Sequence, residues 1–256
     1  MAESMTTFDD EITLSFAREE RPRVAVRDWG VASSIGHVRT ENEDAWGHND
    51  TRRFAVADGM GGTSGGLLAA RLSIAAFLEI DPTDGWVPSL VALNEDVARE
   101  CLAQGFRAAG STLVALEIER HRCVTVHIGD SRIYRVREGI LQLLTTDHNL
   151  GNLRREEGLD PNASDARGTP RALTSWIGAT VEPDRIDVGT LSVDAGDRVV
   201  LATDGTFDLL NGEEIEDILT DRSAAGEAAQ QLVDAADAAG GRDNSTALVV
   251  DLGVEP

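Results

Sequence analysis

The sequence predicts an α+β fold in which antiparallel sheets carry helices packed against them, and three observations lead there. Short stretches rich in Val, Ile or Leu, bounded by Gly, Asp or Asn, recur along the chain and read as strands. Several follow one another directly, and strands joined by short turns pair antiparallel, because a parallel crossover takes a dozen or more residues. Helical periodicity is strong in three places, two between early strands and one before the last. At 256 residues the chain suffices for one large domain or two small ones. A single fold of this size buries roughly 75% of its unfolded surface.

In order, residues 1–22 read as a polar extension and 23–254 as the domain proper. "RVAVRDWGVASS" and "RRFAVAD" are strand-like. The largely apolar "SGGLLAARLSIAAFLEI" is a helix covered on most sides, and the next helix places Leu90, Leu93, Val97 and Cys101 on one face. "CVTVHIGD", "RIYRVREG" and "ILQLLTTD" are successive strands. The polar segment His148 to Pro170, longer than an ordinary connection, is expected to be a substrate-facing flap at about 148–170. "RIDVGTLSV" and "DRVVLATDG" are again strands. The Ala-rich helix 224–239, with Ala225, Ala228, Ala229, Leu232, Ala235, Ala236 and Ala239 in its stripe, stops at Gly-Gly before the last strand, "STALVVDLG".

Acids dominate the charge: 45 Asp and Glu against 23 Lys and Arg, net −22. Such a surface repels phosphate backbones and anionic membranes, which argues against nucleic acid and membrane as partners. A solvated acidic surface accounts for most of the excess. Cys101 and Cys123 fall in a helix-like and a strand-like segment, so two inert thiols in a reduced protein are expected, and no CxxC or Cys/His cluster is present for zinc. The first 22 residues lack the basic flank and apolar run of a signal peptide, and no segment reaches ~18 uninterrupted apolar residues. A cytoplasmic monomer is expected.

"RFAVADGMGGTSGG" poses the functional question, because an apolar run ends in an acid and then in repeated glycine. A phosphate loop would need a lysine, and the nearest cation after the glycines is Arg71 inside the next helix. "GTSGG" formally fits a serine-hydrolase elbow, yet Ser64 lies several residues beyond the strand-like Ala57. A carboxylate site fits better, because the punctuation recurs: Asp58-Gly59, Gly129-Asp130 and Asp204-Gly205 end strands, and Asp243 precedes the last one. Acids at strand boundaries, with no His or Cys cluster, suit a hard oxygen-ligated cation, Mg2+ or Mn2+. Asp208 stands four residues after Asp204, on the same face if the chain turns helical there. Arg39, Glu43 and Asp44 crowd "RTENED"; Arg39 reads either as a surface ion pair or as a guanidinium fork for phosphate oxygens.

"GHVRTENEDA", "VADGMGG", "HIGDSRIYRVREG", "LATDGTFDLL" and "GRDNSTALVV", in this order over about 36–250, resemble the metal-dependent serine/threonine protein phosphatases (PPM, type 2C), especially their compact bacterial members. The resemblance implies a sandwich of two antiparallel β-sheets flanked by α-helices, in α-β-β-α layers, with a binuclear Mg2+/Mn2+ site at one end. By position, Asp58 would bridge both ions, the Gly59 carbonyl would complete the second, and Asp204 and Asp243 would hold the first. Glu43 and Asp44 would act through bound waters, Asp130 with Asp208 would form a weaker third site, and Arg39 would orient the phosphoryl group. The implied reaction is attack of a metal-bridging hydroxide on phosphorus, without a covalent intermediate. Phosphorylated proteins are the implied substrates, a Ser/Thr kinase or its targets among them. Met60 and Thr63 stand where relatives carry histidine, which leaves a bound water or His148 to protonate the leaving alkoxide. Thr206 and Ser245 replace larger apolar residues of the family. A catalytically weak regulatory member that binds a phosphorylated partner is the alternative.

Overall fold

The computed structural model describes residues 23–49, 52–62, 65–165, 167–178, 185–221 and 223–255. Two five-stranded sheets form its centre. The first runs in the order β1 (Val24–Ser34), β12 (Ser245–Val254), β11 (Arg198–Ala202), β8 (Arg132–Arg137), β9 (Ile140–Leu143). The second runs β10 (Asp187–Ser192), β7 (Arg122–Ile128), β6 (Leu113–Glu119), β3 (Arg53–Ala57), β2 (Ala45–Asn49). A short ladder joins β4 (Gly59–Met60) to β5 (Gly110–Ser111). All these pairings are antiparallel, as the short turns between strands imply.

Side chains alternate along the central strands, and each face meets a different core. Phe54, Val56, Val114, Leu116, Leu201, Leu248 and Val250 fill the space between the sheets. Ala55, Ala57, Leu113 and Ala115 instead meet α1 (Gly65–Glu79) and α2 (Trp86–Ala103). Val200, Ala202, Ala247 and Val249 meet α5 (Gly212–Thr220) and α6 (Ala225–Ala238) on the opposite side. Three apolar layers therefore separate four structural ones, in the α-β-β-α order. Leu90, Leu93, Val97 and Cys101 are buried as their spacing predicts; in α6 Val233 joins the buried stripe, while Ala239 is exposed.

Apart from the two-residue strands β4 and β5, two strands have no strand signature in the sequence. β6, "LVALEIE", is buried on both faces and so shows no alternation, and its Leu, Ala and Glu suit a helix equally well. β2, "AWGHN", is short and poor in β-branched residues. Helix α3 (Leu150–Glu156) lies inside the predicted flap, capped by the Asn149 side chain. Helix α5 starts at a capping box formed by Asn211 and Glu214. Cys101 and Cys123 are free and buried, and burial pushes the Cys123 thiol up to about 12. No helix among the described residues is long and apolar enough to cross a membrane. The extension 1–22, Thr63 and Ser64 lie outside the described residues.

Candidate functional site

The antiparallel pattern brings the predicted acids to one end of the sandwich. β3 runs into Asp58, and its partner β2 starts just after Asp44, in the register Ala45↔Ala57. β11 runs through Thr203 into α4 (Asp204–Phe207), beside the start of β12, which follows Asp243 and Asn244. β7 ends at Ile128, before Gly129 and Asp130. Asp208 caps the end of α4, its N–H donating to the Asp204 carbonyl at 2.8 Å, so the two acids share a helical turn.

Glycine follows two of these acids because backbones meet there. A Cβ on Gly59 would lie 2.3 Å from the Gly66 carbonyl oxygen and 2.7 Å from that of Glu43. A Cβ on Gly205 would lie 2.0 Å from the Asn244 carbonyl oxygen. The Asp-Gly pairs thus let β4 press on the start of α1, and α4 on the loop before β12.

The acids interact strongly. Desolvation raises the Asp58 carboxyl well above its ordinary value, and Asp44, Asp204, Asp130 and Asp243 raise it further. Asp44, Asp130 and Asp204 are raised by the same first cause, and each also feels Asp204 or another member of the group. Asp58 and Asp204 act on one another at close range, the Asp204 charge disfavouring ionisation of Asp58. Asp208 is also raised, chiefly by desolvation.

Behind the acids lies a set of hydroxyl and amide groups that the sequence reading passes over. Thr203 and Thr246 donate to Asp44 Oδ2 at 3.0 and 2.6 Å. The Asp58 N–H donates to Thr112 Oγ1 at 2.9 Å, and that hydroxyl pairs with Ser131 Oγ at 2.7 Å. Asn244 accepts the Glu43 N–H and donates to the carbonyls of Ile35 and Glu41. Their signal in the sequence is adjacency: Thr203, Ser131 and Asn244 each stand next to a predicted acid.

Two acids have arginine partners at the rim. Arg39 Nη2 donates to Asp243 Oδ2 at 2.6 Å, with the Arg39 side chain half exposed. Arg171 pairs with Asp208. A cleft of about 480 Å3 opens beside them, lined by Asp130, Asp204, Asp208, Arg132, Arg155 and Arg171. Asn149, Asn152, Pro161 and Pro170 also line it, so the segment expected to be a flap forms one wall. His148 lines a separate cavity of about 250 Å3. Both its ring nitrogens are engaged, Nδ1 by the Gly129 N–H and Nε2 by Asp187, which removes it as a donor to a leaving group in the main cleft.

Glu43 Oε1, Asp44 Oδ1 and Asp204 Oδ1 are buried without a hydrogen-bond partner. Leaving a charged acceptor so placed is costly, and the hydroxyls satisfy only the opposite oxygen of Asp44. Carboxylate oxygens gathered without a nitrogen or sulfur donor, several of them orphaned, match the coordination demand of Mg2+ or Mn2+. The residues therefore fit a hard divalent cation.

Residues 34–237 match the family model "Protein phosphatase 2C". The protein phosphatase PhpP of Streptococcus pneumoniae is 30% identical over 88% of this chain and 97% of its own length. The serine/threonine protein phosphatase PstP of Mycobacterium tuberculosis is 34% identical over 88% of this chain and 45% of its own. The crystal structure of that enzyme superposes with a TM-score of 0.78 at 31% identity, covering 90% of this chain and 99% of the solved one. A PstP catalytic domain solved in complex with two manganese ions superposes at 0.76 with 30% identity, covering 90% and 99%.

Proposed function

The chain belongs to the protein phosphatase 2C family, and from that premise we propose that the acids at the end of its sandwich are the metal centre of its phosphatase reaction. The protein is a metal-dependent serine/threonine protein phosphatase of the bacterial type. One observation supports placing the centre here: Glu43 Oε1, Asp44 Oδ1 and Asp204 Oδ1 are buried without a hydrogen-bond partner among the described residues, at the same end as an Asp58 that four other acids disfavour as a lone anion.

Asp58, the Gly59 carbonyl, Asp204 and Asp243 would hold the two core ions, with Glu43 and Asp44 as outer ligands. Asp130 and Asp208 would hold a weaker third. When bound, Mg2+ or Mn2+ supplies Lewis acidity, lowering the pKa of water and clamping phosphoryl oxygens for in-line displacement. The chain's own residues set the stage for that chemistry. Thr203 and Thr246 fix Asp44 through one oxygen and leave the other directed to the site. Thr112 fixes Asp58 from its backbone side. Among the described residues Arg39 donates to one carboxylate oxygen, through Nη2, so its fork keeps donors for a phosphoryl oxygen pair. Asp58, Asp204 and Asp243 also raise or sustain the Arg39 charge, the Asp243 hydrogen bond foremost.

The catalytic domain spans 23–254, with the flap at about 148–170 forming one wall of the substrate cleft. Substrates are phosphoproteins, a Ser/Thr kinase or its targets among them. A regulatory, non-catalytic role loses ground because every predicted ligand type is present at one end of the sandwich. The test is turnover of a phosphothreonine peptide with added Mn2+. Activity should vanish in chelator and fall by about 3 orders of magnitude in Asp58→Asn, since the ion lost with it supplies most of the charge stabilisation. Full turnover in chelator would overturn the assignment.

A further inference from the structure

His148 sits at the base of the flap, and its contacts converge on the turn that presents Asp130. Its backbone N–H donates to the Gly129 carbonyl at 2.7 Å, and the Gly129 N–H donates back to His148 Nδ1 at 3.2 Å. Its carbonyl accepts the Thr174 N–H at 2.8 Å, from the far side of the flap. Nε2 lies 3.1 Å from Asp187 Oδ2, and the same oxygen lies 3.3 Å from Nδ1 of the buried His127, the residue opposite Asp187 in the β7–β10 register.

Among the described residues, His127, His148 and Asp187 offer ligand atoms all within 4.8 Å of one another, an arrangement that suggests a cation site. Proton placement argues against it. A backbone amide cannot give up its hydrogen, so the Gly129 N–H fixes His148 Nδ1 as an acceptor and leaves the neutral ring's proton on Nε2, facing Asp187. A cation on Nε2 would require that proton on Nδ1, head to head with the amide. Asp187 is instead held well below the ordinary carboxylate range by hydrogen bonds, first from His127 and then from His148. The group is a hydrogen-bonded buttress.

We propose that His148 is a positioning residue for Asp130: with its Nε2 proton anchored on Asp187, it holds Gly129 by both backbone groups and so fixes the carboxylate that follows. The proposal rests on the assignment of Asp130 to the weaker cation above. On the other side of Asp130, Ser131 is tied through Thr112 to the Asp58 backbone. The acid is thus gripped by its two neighbours, one secured to the core acids and one to the flap base. The flap and the weaker cation share a support.

The experiment is a Mn2+ titration of the full chain, reading free hydrated Mn2+ by electron paramagnetic resonance, so that tight and weak steps separate without recourse to activity. His148→Ala should weaken the weak step about 10-fold, the usual scale for losing a group that orients a ligand, and leave the tight steps in place. His148→Asn puts an amide oxygen where Nδ1 stands and should restore the weak step; His148→Gln, whose amide reaches the Nε2 position, should not. Hydrogen exchange at the Gly129 amide should quicken in the Ala and Gln variants and stay slow in Asn. Asp130→Ala separates the two levels: if it leaves the weak step unchanged, the assignment of Asp130 fails and the proposal with it. If it removes that step while His148→Ala does not weaken it, or if Gln restores it as well as Asn, the positioning role alone is overturned. Should the Ala variant fail to fold, the Asn and Gln pair decides.

Discussion

Each of two central strands runs from an arginine to an aspartate, and its two ends treat charge in opposite ways. β3 begins at Arg53 and leads to Asp58; β11 begins at Arg198 and leads to Asp204. At the arginine end both guanidinium groups are buried and face an acid directly across the sheet, Glu117 in one case and Asp251 in the other. Each also donates to the carbonyls that close a helix: Arg53 to Leu78 and Ile80 at the end of α1, Arg198 to Leu219, Asp221 and Ser223 at and beyond the end of α5. Cation, carboxylate and helix C-terminus complete one another there. At the aspartate end the buried acids find hydroxyls and one another, and Arg39 and Arg171 pair with two of them at the rim. One end is electrostatically closed within the chain, and the other is the end at which the proposed cations would supply the missing charge.

The largest stability contrast follows from removing one charge at each end. Asp251→Asn leaves Arg198 buried beside a neutral amide, a change that costs about 3–5 kcal/mol and, at this chain length, about 10 °C in melting temperature. Asp204→Asn in chelator relieves repulsion and should leave the melting temperature equal or higher, while the stabilisation conferred by Mn2+ is lost. Calorimetry of both variants, with and without Mn2+, checks this. Equal losses in chelator would mean that the two ends do not differ.

A smaller effect separates the ends by pH. In the metal-free protein the carboxyls of Asp204, Asp44 and Asp130 are raised to about 6, 7 and 8, chiefly by desolvation, and Asp58 is raised by the same cause. An acid whose folded pKa exceeds its unfolded value of about 4 binds protons better when folded, so its contribution is complete below about pH 4 and is lost as pH rises through the folded value. Asp187 has the opposite sign: its pKa is depressed, and its contribution is lost only as pH falls below the unfolded value. Metal-free protein should therefore melt several degrees lower at pH 8.5 than at pH 5.5, by about 2–4 °C per kcal/mol, and excess Mn2+ should flatten that slope. A metal-free melting temperature that climbs over this range would contradict the raised acids.

The sequence makes the open end legible because the proposed ligands are written as punctuation: an acid after a Val- or Ala-rich strand, then glycine. It makes the fold class legible through the turns between strands. β6 is hidden because a strand buried on both faces loses its period of two, and β2 because it is short and has no β-branched residue. The hydroxyls of Thr112, Thr203 and Thr246 are hidden for a different reason. A threonine has no spacing rule that says which carboxylate it will meet, and Thr246 lies 202 positions from Asp44. The arginine-to-aspartate polarity of β3 and β11 is visible in "RRFAVAD" and "DRVVLATDG", but its meaning needs the register that sets Arg53 against Glu117 and Arg198 against Asp251.

The smallest effect tests whether everything at the open end except the acids is satisfied from within. Thr206 and Ser245 occupy places where the resemblance led to larger apolar residues, and both are buried. Their hydroxyl oxygens lie 2.9 Å apart, and Thr206 Oγ1 also reaches the Thr246 carbonyl at 3.1 Å. One arrangement of protons satisfies both: Thr206 donates to that carbonyl and Ser245 donates to Thr206. Thr206→Val then strands the Ser245 hydroxyl and should cost about 1–3 kcal/mol, whereas Ser245→Ala removes only a donor to an oxygen already engaged and should cost less than about 1 kcal/mol. The double variant should be more stable than the sum of the two by about 1 kcal/mol, because the apolar replacement then leaves no orphan. Urea unfolding of the four proteins in excess Mn2+ measures the coupling. Strict additivity would show that the two hydroxyls answer to something other than each other, and that the polarity of this end is not divided between a self-contained pair and the acids that await a cation.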